Sequence, residues 1–508
     1  MLRDKHCCVC SMGAVLSFIV LCRFSETEAR IPWNNGGTNV HVVYPKLLQS
    51  RSEEGEHVIK VKDDLILTLS RSEVFAENFV VRTFSHGITT EHYVNAKEVE
   101  KNLYHDEENL ASVTVKTDGG LRVEGVLGIN RRIRPAPHLG RSDESQVAHL
   151  IYEVDERIGQ ERHEVAPESS IDVDERDMFL SDTNNNLPDV IYPEIYIICD
   201  HAHAQTFINR TDMGVEYIAT FINAVNLRYL SLRNPKVQLR VVGASFHTFK
   251  EDSFLIYHNG RDGGRYIEGI GTLRELSNFI NARWEFNEAD IVHHFTGFDI
   301  VGYNMGKFSY GVHGYGNLGM VCLNSRTSTS EDVAGTYEGI VAFAHEIGHV
   351  LGCPHDGEQY YIKGAPGSKQ CPFGDGYIMS YIRNSTNQFK FSVCCNMMIR
   401  YIARQAVHNC LLRRSSDKTG ISSTKLPQNV PIRTQCKLLK QRHQVTGTLI
   451  MSHAPTENTN CTVDCVVKYR LSRTSKVFYL FDGTPCNSNG KVCVTGRCSE
   501  PPNITNTK

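Results

Sequence analysis

The chain has 508 residues, of which 41% are hydrophobic and 22% are charged, and its formal net charge is −3. This length and hydrophobic content argue against a disordered or fibrous protein and predict two to four folded units. Because the net charge is slightly negative and the chain has no long run of Lys and Arg, we expect no nucleic-acid partner.

The first residues, MLRDKHCCVCSMGAVLSFIVLC, join a short basic start to an apolar stretch that is short for a membrane span. This pattern predicts a secretory signal peptide over residues 1–24, and an N-terminal anchor is the alternative. No later stretch is apolar for long enough to cross a bilayer. We therefore expect a secreted, extracellular protein with no membrane span after signal removal.

The 17 cysteines are distributed unevenly along the chain. None lies between Cys22 and Cys199, seven lie from Cys199 to Cys410, and six crowd into Cys436 to Cys498. This crowding is typical of secreted modules that disulfides hold together. Four N-x-[ST] sequons agree with secretion and are candidate glycosylation sites: Asn209, Asn384, Asn460 and Asn503.

The segment at 25–187 is the first predicted unit after the signal. From about 38 to 155 it alternates strand-like runs such as LILTLS with polar turns and has no cysteine. This pattern predicts a mostly β domain. Residues 156–187 are acidic and polar, a composition that is typical of an exposed linker and that proteases cut easily.

Residues 188–414 alternate strands and helices. The helical spacing of GVEYIATFINAVNLRYLSL lies between two strand-like runs, YPEIYIICD and VQLRVVGASF. This order predicts an α/β domain with a mixed, mostly parallel sheet. Further along we expect a helix at TLRELSNFINARWEF, a strand at ADIVHHFTG, an irregular or edge strand at GYGNLGMVC and a helix at TYEGIVAFAHEIGHVLG. A polar linker at 415–435 leads to a small cysteine-rich module at 436–508.

The last of these helices contains HEIGHVLGCPHD, residues 345–356. His345 and His349 are four residues apart, so on a helix they share one face and both can reach one ion. Catalytic zinc sites use three protein ligands. Gly352 can adopt a positive φ, end the helix and turn the chain back, which would bring His355 to the metal. We therefore predict a Zn²⁺ site with three histidines, against the alternative of histidines on a solvated helix face.

Glu346 follows the first predicted ligand and cannot easily join the other two on the metal. Zinc lowers the pKa of a bound water to about 7, and a carboxylate beside that water can accept its proton. We therefore expect Glu346 to be the general base of a peptide hydrolysis that has no covalent intermediate.

The pattern HExxHxxGxxH is the signature of the metzincin proteases, and Asp356 after the third histidine resembles the reprolysin (adamalysin) branch. The stretch GYIMSY places Met379 where metzincins have the Met-turn beneath the metal. The stretches FSVCC and NCLL resemble the C-terminal helix region of reprolysins, and VVYPKLL, NLYHDEENLASV and GVLGINRRIRP resemble their propeptide. The whole arrangement is most similar to secreted tick salivary metalloproteases.

The resemblance implies further site residues. A calcium site would use Glu194, Asp290 and the carbonyl of Cys410, although Arg413 stands where the family has a side-chain amide. Tyr381 resembles the tyrosine that astacins and serralysins place near zinc, and a tyrosine in the wall of the substrate pocket is the alternative. The family pairing of cysteines, which would leave Cys199 as a buried free thiol, is Cys322 with Cys410, Cys371 with Cys394, and Cys353 with Cys395.

Two further features lie in the predicted propeptide and in the cysteine-rich module at the C-terminal end of the chain. The propeptide has no cysteine to occupy the zinc, so latency must come from another ligand, from covering of the cleft, or not arise at all. The run FDGTPCNSNGKVCVTGRC resembles the cysteine-rich module of the ADAMTS proteases. Such a module could hold substrate at a second site, or it could simply staple a small domain.

We therefore predict a secreted zinc endopeptidase that cleaves extracellular host proteins, with matrix proteins or fibrinogen and fibrin as candidate substrates. The first alternative is a binding protein that blocks haemostasis mainly through its cysteine-rich module. The second is a protease-fold decoy, against which the intact set of three histidines and Glu346 argues.

Overall fold

The computed structural model describes only part of the chain. The described residues are 40–51, 56–85, 88–142, 144–154, 187–304, 306–359, 364–382, 385–413, 431–442, 448–453, 461–468, 473–480, 484–487, 489–494 and 497–499. The predicted signal peptide at 1–24 and most of the predicted linkers at 156–187 and 415–435 lie outside the described residues. Three sequons, at Asn384, Asn460 and Asn503, also lie outside them.

The N-terminal segment is mostly β, as predicted. Its strands are β1 (His41–Val43), β2 (Lys46–Arg51), β3 (Glu56–Lys62), β4 (Leu65–Arg71), β5 (Phe75–Ser85), β6 (Ile88–Tyr93), β7 (Leu103–Asp106), β8 (Ala111–Lys116), β9 (Arg122–Leu127), β10 (Arg131–Pro135) and β11 (His149–Glu153), with one short helix, α1 (Ala96–Glu100). Nine of these strands form an antiparallel sheet in the order β1-β11-β10-β9-β8-β7-β4-β3-β2. In β4 the side chains alternate between the core and solvent, so Leu67 is buried and Ile66 is exposed.

The next segment contains the predicted α/β domain. Its strands are β12 (Val190–Ile191), β13 (Glu194–Cys199), β14 (Lys236–Val237), β15 (Arg240–Phe246), β16 (Tyr257–Asn259), β17 (Arg265–Glu268), β18 (Ile291–Thr296), β19 (Ile300–Asn304), β20 (Lys307–Val312), β21 (Gly314–Gly316) and β22 (Thr327–Glu331). Its helices are α2 (His201–Ala204), α3 (Thr211–Tyr229), α4 (Gly269–Asn281), α5 (Ile340–Val350) and α6 (Val393–Ala403). Short 3₁₀ helices lie at Pro137–Leu139, Gln205–Phe207, Trp284–Phe286, Phe373–Asp375, Thr386–Phe389 and Ala406–Leu412.

The central sheet of this domain has the strand order β21-β22-β18-β13-β15-β5-β6. Strand β13 is parallel to both β15 and β18, β22 is parallel to β18, and β21 runs antiparallel to β22. All six residues of β13 are buried because both faces of the sheet are covered. Ile197 packs into the core that contains α3 and α5, whereas Ile198 packs into the core that contains α4. The mixed, mostly parallel sheet is confirmed.

Two strands of this sheet come from the N-terminal segment, which the sequence analysis did not predict. Strand β5 pairs in parallel with β15, and β6 pairs antiparallel with β5 at the end of the sheet. Both strands lie in the predicted propeptide. The N-terminal segment therefore contributes both a sheet of its own and one end of the central sheet.

The cysteine-rich module has helix α7 (Ile432–Arg442), a three-stranded antiparallel sheet of β23 (Thr448–His453), β24 (Thr462–Lys468) and β25 (Arg473–Tyr479), and a hairpin of β26 (Val492–Val494) and β27 (Arg497–Ser499). Three disulfides, Cys436–Cys465, Cys461–Cys493 and Cys486–Cys498, cross it. Half-cystines make up much of its small hydrophobic core, so disulfides stabilise a module that buries little apolar surface. Among the described helices, none is both long and apolar enough to cross a membrane.

Candidate metal centre

Helix α5 positions two of the three predicted ligands. Ile340, Phe343 and Ile347 recur at helical spacing and pack into the core, which leaves His345 and His349 together on another face. The helix ends as predicted, because Gly352 has a φ of 106°. A Cβ atom at this position would lie 2.4 Å from Ile402 Cγ1, so both the conformation and the space require glycine.

The turn after Gly352 brings His355 to the other two histidines. One ring nitrogen from each of the three residues lies within 4.8 Å of the others. The Nδ1 atom of His345 donates to the carbonyl of Ile378 at 2.8 Å, and that of His349 donates to the carbonyl of Cys353 at 2.7 Å. Since carbonyl oxygens only accept, each of these rings has its proton on Nδ1 and a lone pair on Nε2.

The third ring is oriented by a carboxylate that the sequence analysis missed. The Nδ1 atom of His355 lies 3.1 Å from Glu358 Oε1, so this ring too has its proton on Nδ1 and directs the lone pair of Nε2 to the other two rings. Metal-binding histidines are commonly oriented in this way by a partner on their second nitrogen. The signal in the sequence is the spacing of three residues between His355 and Glu358.

The donor set fits zinc. The Nε2 atoms of His345 and His355 face each other at 3.3 Å, while their Nδ1 atoms are directed to other partners. A cation between the two rings could therefore bind a lone pair from each. Three neutral imidazoles with an open fourth position are the ligand set of catalytic Zn²⁺.

Glu346 directly follows His345 in helix α5 and is only 1% exposed. Its Oε2 atom has no hydrogen-bond partner among the described residues. Burial raises the pKa of this carboxyl well above its usual value, and a cation held by the neighbouring rings would offset that effect. A Cβ atom at Gly314 of strand β21 would lie 2.6 Å from Glu346 Cγ, so only glycine lets this strand pass so close to Glu346.

The predicted Met-turn lies against the same helix. Met379 is fully buried, and its Sδ atom is 2.9 Å from the position of a Cβ atom at Gly348, which lies between the two helical ligands. The turn is tied to the ligands by Ile378, whose carbonyl orients His345, and by the carbonyl of Met379, which accepts from the backbone of Asp356. Asp356 in turn accepts from Ser392 Oγ at 2.6 Å, and burial raises its pKa to about 6.

Tyr381 reaches the metal position itself. Its hydroxyl lies 2.7 Å from Nε2 of His355, the atom that would bind the metal. Because that Nε2 atom has no proton, the hydroxyl is the donor. The structure thus places Tyr381 at the metal position and also beside Phe373, with ring centroids 5.4 Å apart.

The structure contains the three disulfides that the resemblance implied: Cys322–Cys410, Cys353–Cys395 and Cys371–Cys394. The second of these fixes the turn whose carbonyl orients His349. Cys199 is a buried free thiol, as expected. Asn209, the one candidate glycosylation site among the described residues, is exposed.

Two of the predicted calcium ligands are also neighbours. The backbone of Glu194 donates to Asp290 Oδ2 at 3.0 Å, and both residues are buried. The carbonyl of Asp290 accepts from the backbone of Cys322, whose disulfide partner is Cys410. The structure therefore brings the three predicted residues to one region of the domain.

The edge strand is shorter than the predicted stretch GYGNLGMVC. That stretch covers residues 314–322, whereas β21 spans Gly314–Gly316. The following residues leave the sheet because their backbone donates to the end of helix α5: Gly319 to the carbonyl of His349, and Val321 to that of Val350. Glycine content predicted an irregular strand, but it gave no information about which carbonyl groups would accept hydrogen bonds from the backbone N–H groups of this stretch.

Comparisons with known proteins agree with this centre. Residues 194–392 match the family Reprolysin_5, described as metallo-peptidase family M12. The chain is 24% identical over 491 residues to a protein from Bombyx mori named "A disintegrin and metalloproteinase with thrombospondin motifs like", covering 82% of this chain and 67% of the other. It is 26% identical over 401 residues to venom metalloproteinase antarease TserMP_A of Tityus serrulatus, covering 74% and 94%. It is 25% identical over 388 residues to venom metalloproteinase BumaMPs1 of Olivierus martensii, covering 74% and 93%.

Proposed function

Residues 194–392 of this metalloendopeptidase belong to the reprolysin group of metallopeptidase family M12, and on that premise we propose that the chain is a secreted proenzyme that cleaves extracellular host proteins. The observation that carries the proposal is the convergence of three histidines, with one ring nitrogen from each within 4.8 Å of the others. The likeness to venom metalloproteinases supports secretion. A salivary source remains a prediction.

We propose that His345, His349 and His355 bind the zinc and that Glu346 is the general base. Zinc, when bound, polarises the scissile carbonyl and acidifies water. Glu346 Oε2 has no other partner among the described residues, so it is available to accept a proton from the attacking water. The protonated carboxyl then passes that proton to the leaving amine. Burial raises the pKa of this carboxyl, which favours its holding the proton between the two transfers.

We propose that the Tyr381 hydroxyl stabilises the negative charge that develops on the scissile carbonyl oxygen. A metal held by His355 Nε2 would take the place of this hydroxyl on the lone pair, and the hydroxyl could then donate to the developing oxyanion. The alternative role, a wall of the substrate pocket, is supported by the contact of its ring with Phe373.

We further propose that substrates bind as extended chains along β21. This strand ends the sheet and pairs with β22, and substrate can add to such an end by backbone hydrogen bonds. Unfolded matrix proteins or fibrinogen should be cut faster than their native forms, and equal rates would contradict this part of the proposal.

We also infer a Ca²⁺ site that uses Glu194, Asp290 and the carbonyl of Cys410. Two buried carboxyl groups beside one disulfide support this inference, whereas Arg413 departs from the family pattern. Adding Ca²⁺ to chelator-treated protein that has been reloaded with zinc alone should raise its Tm. An unchanged Tm would contradict the site.

The decisive experiment incubates the activated protein with a peptide library, with and without 1,10-phenanthroline. Chelator-sensitive cleavage is expected, and cleavage that the chelator leaves unchanged would overturn the zinc mechanism. The rival function, a haemostasis-blocking binder that acts through the cysteine-rich module, is tested by Glu346→Ala in a clotting assay. If this variant inhibits clotting as well as the native protein does, binding is the function.

A further inference from the structure

The N-terminal domain, residues 40–154, completes the catalytic sheet through β5. Gly243, Ala244 and Ser245 of β15 pair with Val80, Val81 and Arg82 of β5. Without the N-terminal domain, β15 would become an edge with unpaired backbone groups. We propose that cleavage in the linker does not release this domain, which instead remains as a non-covalent subunit of the mature protease. This inference rests on the proposed proenzyme and on the expectation that proteases cut the linker at 156–187.

The two parts also share one hydrophobic core. Phe79, Val81 and Leu103 of the N-terminal domain are at most 2% exposed, and they belong to the same buried cluster as Phe221 of α3 and Phe343 of α5. Dissociation would expose this surface on both parts. An interface of this kind resembles a domain core cut in half, which is typical of permanent complexes rather than of removable inhibitors.

Buried polar contacts make the interface specific. Arg82 is 5% exposed, and its Nη1 atom donates to the hydroxyl of Tyr196 at 2.9 Å, across strand β15. A Cβ atom at Gly243 would lie 2.4 Å from the Tyr196 ring, so glycine at this position lets the tyrosine reach β5. The same guanidinium pairs with Glu91 of β6. The catalytic sequence is thus adapted to a residue of the N-terminal domain.

A second arginine of the domain holds the segment that leads into the zinc helix. Arg132 is fully buried, and it donates to the carbonyls of Thr336 at 2.9 Å and Tyr337 at 2.8 Å. Tyr337 has a φ of 59°, an unfavourable conformation for a tyrosine, and helix α5 begins three residues later. Arg132 therefore supports the approach to the helix that carries His345.

This arrangement is compatible with an active enzyme. The N-terminal strands join the sheet at the end opposite β21, with β15, β13, β18 and β22 between them. The domain can therefore stay bound at β15 while substrate pairs with β21. Retention, and not release, then follows from the contacts at β15, α3 and the Thr336–Tyr337 turn.

The test uses the full chain with Glu346→Ala, so that its outcome does not depend on catalysis. A recognition site for a specific protease is placed in the linker at 156–187, the chain is cut to completion, and the products are run on a size-exclusion column. Both fragments should elute together at the size of the intact chain and separate in urea. Elution as two separate folded fragments in native buffer would overturn the proposal.

A conservative variant tests the role of Arg132 in the same cut protein. Arg132→Lys keeps the charge but loses the forked donor, so the fragments should separate at a lower urea concentration. Arg122→Lys is the matched control, because Arg122 is exposed on the neighbouring strand β9. Equal urea midpoints for the two variants would show that Arg132 does not stabilise the interface. If Arg132→Lys fails to fold, the co-elution experiment still decides the proposal.

Discussion

His345 and His355 face each other through their Nε2 atoms at 3.3 Å, while each ring donates its Nδ1 proton in another direction. The acceptors on Nδ1 are the carbonyl of Ile378 and the carboxylate of Glu358. Both rings are therefore held with the lone pairs of their Nε2 atoms directed at the same point. A cation bound between the two Nε2 atoms would stabilise this arrangement, so metal binding and the stability of the folded chain are linked.

The first prediction is that removing zinc lowers stability as well as activity. A ligand that binds only the folded state stabilises it by about 4 kcal/mol when present at 1,000 times its Kd. Dialysis against 1,10-phenanthroline should lower the Tm, and restoring Zn²⁺ should recover it. Thermal unfolding of His349→Ala gives the control, because this variant lacks a ligand and its Tm should not respond to zinc.

The second prediction separates the base from the ligands. Glu346→Gln removes the proton acceptor and keeps the shape, so proteolysis should fall by ~10²–10⁴-fold or more while zinc stays bound. His349→Ala should lose both the activity and the metal. Metal content measured on the purified variants distinguishes the two cases. A Glu346→Gln protein that is zinc-loaded and fully active would exclude this residue as the base.

The sequence could predict the centre because its determinants are local. A spacing of four on one helix places His345 beside His349, and Gly352 supplies the positive φ that returns His355. The alternation of apolar residues and the order of strands and helices were likewise enough for the mostly β N-terminal segment and the mostly parallel sheet.

The sequence could not predict which sheet a strand joins. Strand β5 directly follows β4 along the chain, yet it pairs with β15, where Gly243 lies opposite Val80. That choice depends on contacts such as Arg82 with Tyr196, which are visible only in three dimensions. Glu358 was missed for a similar reason, because its spacing of three residues from His355 indicates a contact only once the path of the turn between them is known.

The third prediction concerns Glu358. Loss of a carboxylate that orients a metal-binding histidine typically costs about 10–100-fold in metal affinity. Because Glu358 is half exposed, Glu358→Gln should weaken zinc binding by about 10-fold, at the low end of that range. Competition with a fluorescent zinc chelator measures the change, and Glu108→Gln at an exposed position is the matched control. Equal zinc affinity in the two variants would show that Glu358 does not orient the ligand.

The fourth prediction decides between the two roles of Tyr381. If its hydroxyl stabilises the developing oxyanion, Tyr381→Phe should lower kcat by about 100-fold and change KM little. If the residue is only a wall of the pocket, the ring that remains should keep kcat and shift the side-chain preference in a peptide library. Steady-state kinetics on one good substrate, followed by library profiling, separates these outcomes.

The last prediction is that a cysteine does not keep the proenzyme inactive. No cysteine lies between Cys22 and Cys199, and Cys199 itself is buried in the catalytic core. No propeptide thiolate is therefore available to occupy the fourth position on zinc. Mercurials, which free a proenzyme that a thiolate inhibits, should fail to activate this one.

Cleavage in the linker at 156–187 should activate the protein instead. The one Arg-x-x-Arg sequence of the predicted propeptide, Arg131 to Arg134, lies in β10, where Arg132 is fully buried, so proteases cannot easily reach it. The purified proenzyme is treated with a mercurial or with a protease that cuts the linker, activity is measured, and the new N-terminus is sequenced. Because the N-terminal domain should stay bound after the cut, activity should appear without loss of that fragment on a native column. Activation by the mercurial while the chain is still uncut would overturn this account of latency.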